Sequence, residues 1–316
     1  MSARRTNLSR LGAAVVSIAL IALLFARVDS AAVGAALLGG HWRRYTVVAV
    51  VFTAIWLAVD SLVLARLVTR FHRPISAREI LPLRGASYLL MAISYDAAQA
   101  GLGLALNRRY GIPALAMGGT YLFYYLIDLT TIATLGTIGS RAVPGPVGAA
   151  LRPTLPVLLA AVVGAFALLA LLARAPAERV PRVLRDARLL ATLRRATPRD
   201  VLEFVAWRGL FYGSFVAFAA LSLPAFGIHV PLHALIGLVP VTMSIAALPV
   251  TVAGIGSTQA AMWTLYGPFG EPAAVLAYSL VYGATLVLFR LPIALVCLPA
   301  ASDVLARREV HWRTET

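Results

Sequence analysis

Asp128 and Arg290 are the side chains of this 316-residue chain whose placement points most directly to chemistry. Each stands inside a long apolar run, Asp128 near the middle of Gly119 to Ile138 and Arg290 within Val281 to Leu298. An ionised group in hydrocarbon costs at least ~2.5–3.5 kcal/mol, so such residues face a bundle interior or water. Read functionally, they are a cavity-facing pair in which Arg290 binds an anionic headgroup and Asp128 orients it or changes protonation state. Read structurally, they are a salt bridge between two halves of the chain. The two readings are compatible.

Lesser candidates surround them. Arg84 and Asp96 lie in the apolar stretch Leu81 to Leu106. Asp96, beside Tyr95 and before Gln99, reads as a cavity carboxylate, and Arg84 as an interfacial cation or a deeper ligand. Asp60, close before Arg66, reads as a hydrated interfacial carboxylate, and Arg208 as a cation that snorkels to headgroups. Gln259 follows Gly256 and is expected either to hydrogen-bond a substrate phosphate or to cap a half-helix. The pairs Gly101, Gly103 and Gly254, Gly256 let a helix break and expose amide donors, and a half-helix starting there turns its positive end to an anion. Their other use is close helix packing through small residues.

Enzymatic signals are weak. Pro231 separates His229 from His233 and spoils the shared helical face a zinc ion needs. Ser257 sits in no nucleophile elbow, and no phosphate-binding ATPase loop appears. Cys297 is the only cysteine, which excludes an intramolecular disulfide and a cysteine-based metal site. No catalytic residue, metal or cofactor is expected.

The elements that must carry these residues are membrane helices. Hydrophobic residues make up 60% of the chain and charged ones 13%, where a soluble domain is about a quarter charged. Every one of the 28 cations is arginine, and the net charge of +15 suits loops lying against an anionic leaflet. Nucleic acid is an improbable partner, since no compact basic domain remains to hold a duplex. Six stretches read as full spans: 11–26, 47–65, 119–138, 155–173, 201–223 and 272–298. The first, behind Arg4, Arg5 and Arg10, is expected to be an uncleaved anchor, since no small-residue cleavage site follows. Leu81 to Leu106 and Leu232 to Tyr266 are interrupted, the latter by Pro249 and Ala253-Gly254-Ile255-Gly256.

Arginine bias orients these segments. Eight arginines fall between Arg174 and Asp200 and none between Ser222 and Tyr266, which places the first region in the cytoplasm. That holds only if Leu81 to Leu106 re-enters from the cytoplasm. Leu232 to Tyr266 must then re-enter from outside to bring the basic tail back in. Both termini become cytoplasmic, and Ala31 to Arg44 becomes an external loop. The resulting order repeats with opposite orientation, and Ala100-Gly101-Leu102-Gly103 recurs as Ala253-Gly254-Ile255-Gly256. Tyr-Gly and then Pro-Ala follow both copies (Tyr110, Gly111, Pro113, Ala114; Tyr266, Gly267, Pro272, Ala273).

The expected fold is thus an all-α polytopic membrane protein forming a single transmembrane domain: six full spans plus two broken re-entrant segments in an inverted repeat, residues 1–138 and 155–300. A basic linker, 174–200, joins the halves, with Glu178 to Ala196 lying as an amphipathic helix on the cytoplasmic leaflet. Broken helices at corresponding positions of an inverted repeat mark a transporter with its site near the midplane.

Several stretches carry a family resemblance: Ile75-Ser76-Ala77-Arg78-Glu79, the Gly101 to Gly103 turn, Arg108-Arg109, Leu126-Ile127-Asp128, Leu248-Pro249 through Gly254-Ile255-Gly256, and the late Arg290. In these the chain resembles the lysylphosphatidylglycerol synthase transmembrane, or flippase-like, family. The resemblance implies lipid translocation. Since no aminoacyl-transfer domain accompanies the membrane segment here, it does not imply lipid aminoacylation. The chain departs where members usually show Pro-Gly-Gly with a following acid: Leu104 follows Gly103, and Gln259 stands where a glutamate is common. Neither a particular substrate nor proton coupling is therefore carried over.

These readings converge on a flippase-like transporter of an anionic phospholipid or lipid-linked headgroup, multi-pass in a bacterial inner membrane, with membrane lipids as its partners. Two alternatives stand beside it. One is an integral-membrane enzyme acting on a lipid phosphate through Asp96 and Asp128; the other is a small-solute secondary transporter. Nothing in the sequence fixes an oligomeric state.

Overall fold

A computed structural model describes residues 2–91, 95–175, 188–247 and 255–306. Among the described residues the chain is helical throughout, with short connections and no strand. Helix α1 (Ser2–Arg27) turns through 92° into α2 (Ser30–Gly39). The turn is fixed by Asp29, whose carboxylate accepts the Ala31 amide at 3.0 Å and caps α2. Most of the expected external loop Ala31 to Arg44 is therefore helix, and the Asp-Ser pair at its start was the overlooked signal.

The remaining helices are α3 (Trp42–Phe71), α4 (Ala77–Met91), α5 (Tyr95–Tyr110), α6 (Ala114–Ser140), α7 (Gly145–Arg174), α8 (Ala191–Arg195), α9 (Pro198–Ser222), α10 (Leu232–Ala247), α11 (Ser257–Tyr266), α12 (Pro272–Leu288) and α13 (Arg290–Ala306). Among the described residues five stretches are long and apolar enough to cross a membrane: α3, α6, α7, α9 with the short helical turn after it, and α12 with α13. The bent α1–α2 pair raises that to six. Large apolar side chains on α7 and α13 point outward, among them Leu171 at 69% and Val296 at 78% exposure. Such faces belong in lipid, and the chain is a multi-pass integral membrane protein.

One series occurs twice: a long helix, two short helices and another long stretch, as α3, α4, α5, α6 and as α9, α10, α11 and α12 with α13. Each first short helix packs on the other half, α4 against α13 and α10 against α6. Small residues set both crossings. A Cβ at Gly85 would collide with Cys297 of α13, and one at Gly139 with the backbone of Gly237. Between the halves α3 meets α9 along an aromatic ladder, in which Phe52 lies 4.7 Å from Phe215 and Trp56 lies 4.8 Å from Phe215, centroid to centroid.

Both interrupted stretches are pairs of helices, as their composition predicts, but the glycines act differently from expectation. Gly101 and Gly103 lie inside α5 and make no break there; Gly101 lets α5 approach Leu90 of α4 and so serves packing. Gly256 does end a break: it precedes α11 with φ +93. Gly254 lies outside the described residues. The linker also departs from expectation. Its residues 176–187 lie outside the described part, while Leu190 and Leu193 are buried against Phe71, Phe123, Ile127 and Phe204. This portion docks in protein instead of lying on the leaflet. The carbonyl of Leu189 rests where a side chain on Gly119 would stand.

Candidate functional site

Arg290 stands at the interruption of the last span. Helix α12 ends at Leu288, Phe289 forms its cap, and α13 begins at Arg290. Pro292 explains the reset, because it lacks the amide that would reach the Leu288 carbonyl and its ring crowds that oxygen. The guanidinium carbon lies 3.6 Å from the Trp56 ring centroid and 5.5 Å from that of Tyr88. One N–H points to Met91 Sδ at 3.0 Å, a weak acceptor. Its Nε is buried without a hydrogen-bond partner, as is the Tyr88 hydroxyl. Among the described residues Arg290 makes no ion pair.

Arg84 lies close by on α4, its guanidinium carbon 6.0 Å from the same Tyr88 ring. It is only 4% exposed and donates to Asp60 Oδ2 at 2.5 Å and to Gln99 Oε1 at 3.4 Å. Asp60 and Arg84, expected as separate charges, are an ion pair between α3 and α4, with Arg84 buried and Asp60 largely so. The described charges around Tyr88 are thus two arginines and one carboxylate. Asp96 begins α5, and its side chain lies outside the described part.

Asp128 does not meet Arg290. It accepts from Arg208, whose Nε lies at 2.6 Å and whose Nη2 is closer still, and from the Tyr212 hydroxyl at 2.6 Å. Arg208 reaches Tyr124 Oη at 3.3 Å and stacks on Phe211, 4.4 Å to its centroid. Far from snorkelling, it is buried to 6% exposure between α6 and α9. The Asp128–Arg290 pairing is replaced by Asp128–Arg208, because α9 begins at Pro198 and carries Arg208 deep into the bundle.

Gln259 takes the capping role of the two foreseen for it. Its Oε1 accepts the Gly256 amide at 2.6 Å and its Nε2 donates to the Ser279 carbonyl at 3.3 Å. A side chain on Gly283 would approach that nitrogen to 2.8 Å, so the amide is held on both sides. A narrow recess opens among α9, α10, α11 and α12, lined by Phe215, Met243, Met262, Tyr266 and Tyr282 with others. No charged side chain lines it, so it offers no counter-charge to a headgroup. At the end of α3, His72 bonds Thr120 Oγ1 at 2.8 Å, which in turn meets Thr192 of the linker at 2.8 Å. Burial, with Arg195 nearby, holds that imidazole below its ordinary value.

Trp56 and Tyr88 carry no sequence signal, since aromatic residues in apolar helices are ordinary. Pro292 could have revealed the break at Arg290. No curated protein matches the chain. Residues 10–294 match the profile of the lysylphosphatidylglycerol synthase TM region. With that match spanning most of its length, the chain belongs to the lysylphosphatidylglycerol synthase TM region family, whose members have a lipid-related role in membranes.

Proposed function

We propose that the protein is a flippase-like translocator that carries an anionic phospholipid or lipid-linked phosphate headgroup between leaflets. The observation that carries this reading is the state of Arg290: a largely enclosed cation at a helix interruption, held on aromatic rings and unpaired with any described carboxylate. A fixed unpaired charge of this kind offsets the desolvation of a passing phosphate. The exposed apolar faces of α7 and α13 would keep the acyl tails in an apolar setting.

In this reading α4 with α5 and α10 with α11 re-enter from opposite sides as the broken elements of an inverted repeat. The reciprocal packing of α4 on α13 and α10 on α6 supports such a symmetry. Arginine bias places both termini in the cytoplasm of a bacterial inner membrane. Asp128, the acid required by the enzymatic alternative, is committed to Arg208 and Tyr212, which favours transport.

Proteoliposomes carrying fluorescent phosphatidylglycerol test the proposal. Wild-type protein should speed exposure of the inner-leaflet label to an external quencher, and Arg290→Gln should slow it about tenfold with the lipid's mass unchanged. The proposal fails if neither phosphatidylglycerol nor a polyprenyl phosphate moves faster than in empty vesicles, or if the lipid emerges chemically altered.

A further inference from the structure

The buried arginines of this protein are held in two ways. Arg84 and Arg208 are gripped by Asp60 and Asp128. Arg290 is held by ring faces alone, apart from its contact with a thioether. A carboxylate neutralises a guanidinium and occupies its donor fork. An aromatic face attracts the cation through its quadrupole yet covers only the plane, leaving the five N–H groups at the edge. Arg290 Nε, buried with no partner, is the donor this arrangement leaves free.

We propose that Trp56 is a positioning residue: its indole face holds the Arg290 guanidinium in a plane that leaves the buried Nε without a competing acceptor, so that it is the donor an anionic headgroup would take. The inference rests on the reading of Arg290 as the headgroup's counter-charge. Trp56 is suited to the task because it is itself fixed. Phe215 meets it at 4.8 Å, Phe52 at 5.6 Å and Phe211 at 6.2 Å, so the ring is locked into the ladder between α3 and α9. It therefore ties a cation at the α12–α13 junction to a rigid seam in the other half of the chain. Tyr88, its ring 6.2 Å from Trp56 and 5.5 Å from the guanidinium carbon, flanks the same cation, and its hydroxyl is also buried without a partner among the described residues. An arriving anion displaces no carboxylate; it meets an oriented charge.

The test titrates fluorescent phosphatidylglycerol into the full chain held in phosphatidylcholine nanodiscs. Trp56→Leu, which keeps apolar bulk but has no ring face, should weaken binding about tenfold, while Trp56→Phe should cost less than about threefold. In an Arg290→Gln background, Trp56→Leu should change nothing further. Thermal unfolding identifies folded variants, and Trp56→Met replaces Trp56→Leu if the latter does not fold. The inference is overturned if the ring-less variant binds as wild type does, if Trp56→Phe loses as much, or if the loss persists without Arg290. Translocation in the same variants separates the two claims. The expected binding pattern without lipid movement overturns the flippase reading alone, while movement that depends on Arg290 but not on Trp56 overturns the positioning role alone. Absence of Arg290-dependent binding in the wild type overturns both.

Discussion

Arg208 and Arg290 are both arginines in apolar helices, and their surroundings give them opposite energetics. Arg208→Ala leaves the Asp128 carboxylate in a poorly hydrated setting without its cation and should destabilise the fold by ~3 kcal/mol. Combining it with Asp128→Asn should restore much of that loss, since no unpaired charge remains. Arg290→Gln removes a cation that no described carboxylate needs and should leave the thermal midpoint nearly unchanged. A midpoint loss from Arg290→Gln as large as that from Arg208→Ala would reverse these assignments. The sequence made the cost of each charge plain, but not its partner. Asp128 and Arg208 lie 80 residues apart on different helices, and only packing brings them together. Asp60 misled for a related reason. Its closeness to Arg66 suggested a span end, whereas α3 runs on to Phe71 and holds Asp60 beside Arg84.

Among the elements, the docked linker is the most sensitive to a single methyl group. Gly119 meets the Leu189 backbone so closely that no side chain fits, and a backbone carbonyl cannot rotate away as a leucine tip can. Gly119→Ala should therefore release residues 188–195 from α6, seen as faster proteolysis near Arg194 and Arg195 with the remaining helices intact. Unchanged proteolysis would show that the linker tolerates the shift. Gly101→Ala, opposed by the flexible end of Leu90, should be milder. These two glycines show where reading by motif stops. The helix pairs were legible because apolar runs stopped and restarted. The place of each break was not, because the matching Gly-x-Gly copies sit differently: one lies within a 16-residue helix and the other precedes a 10-residue one. What the two halves do share is the end of that second short helix, at Tyr110 and at Tyr266.

At the scale of the whole molecule, opposite orientation of the two halves has a direct readout. Arg108, in the last turn of α5, and Glu271, just before α12, are both exposed near corresponding connections. Single cysteines at these positions, in a Cys297→Ala background, should react with impermeant reagent from opposite sides of the membrane, Arg108→Cys from the cytoplasm. Reaction of both from one side would remove the inverted repeat. The native thiol meanwhile occupies an informative place. Cys297 of α13 is 9% exposed and its sulfur lies over Gly85, where α4 crosses α13. Alkylation at that sulfur requires α4 and α13 to part, so the unmodified protein carries its own chemical clock: the rate at which Cys297 is consumed counts how often the halves separate.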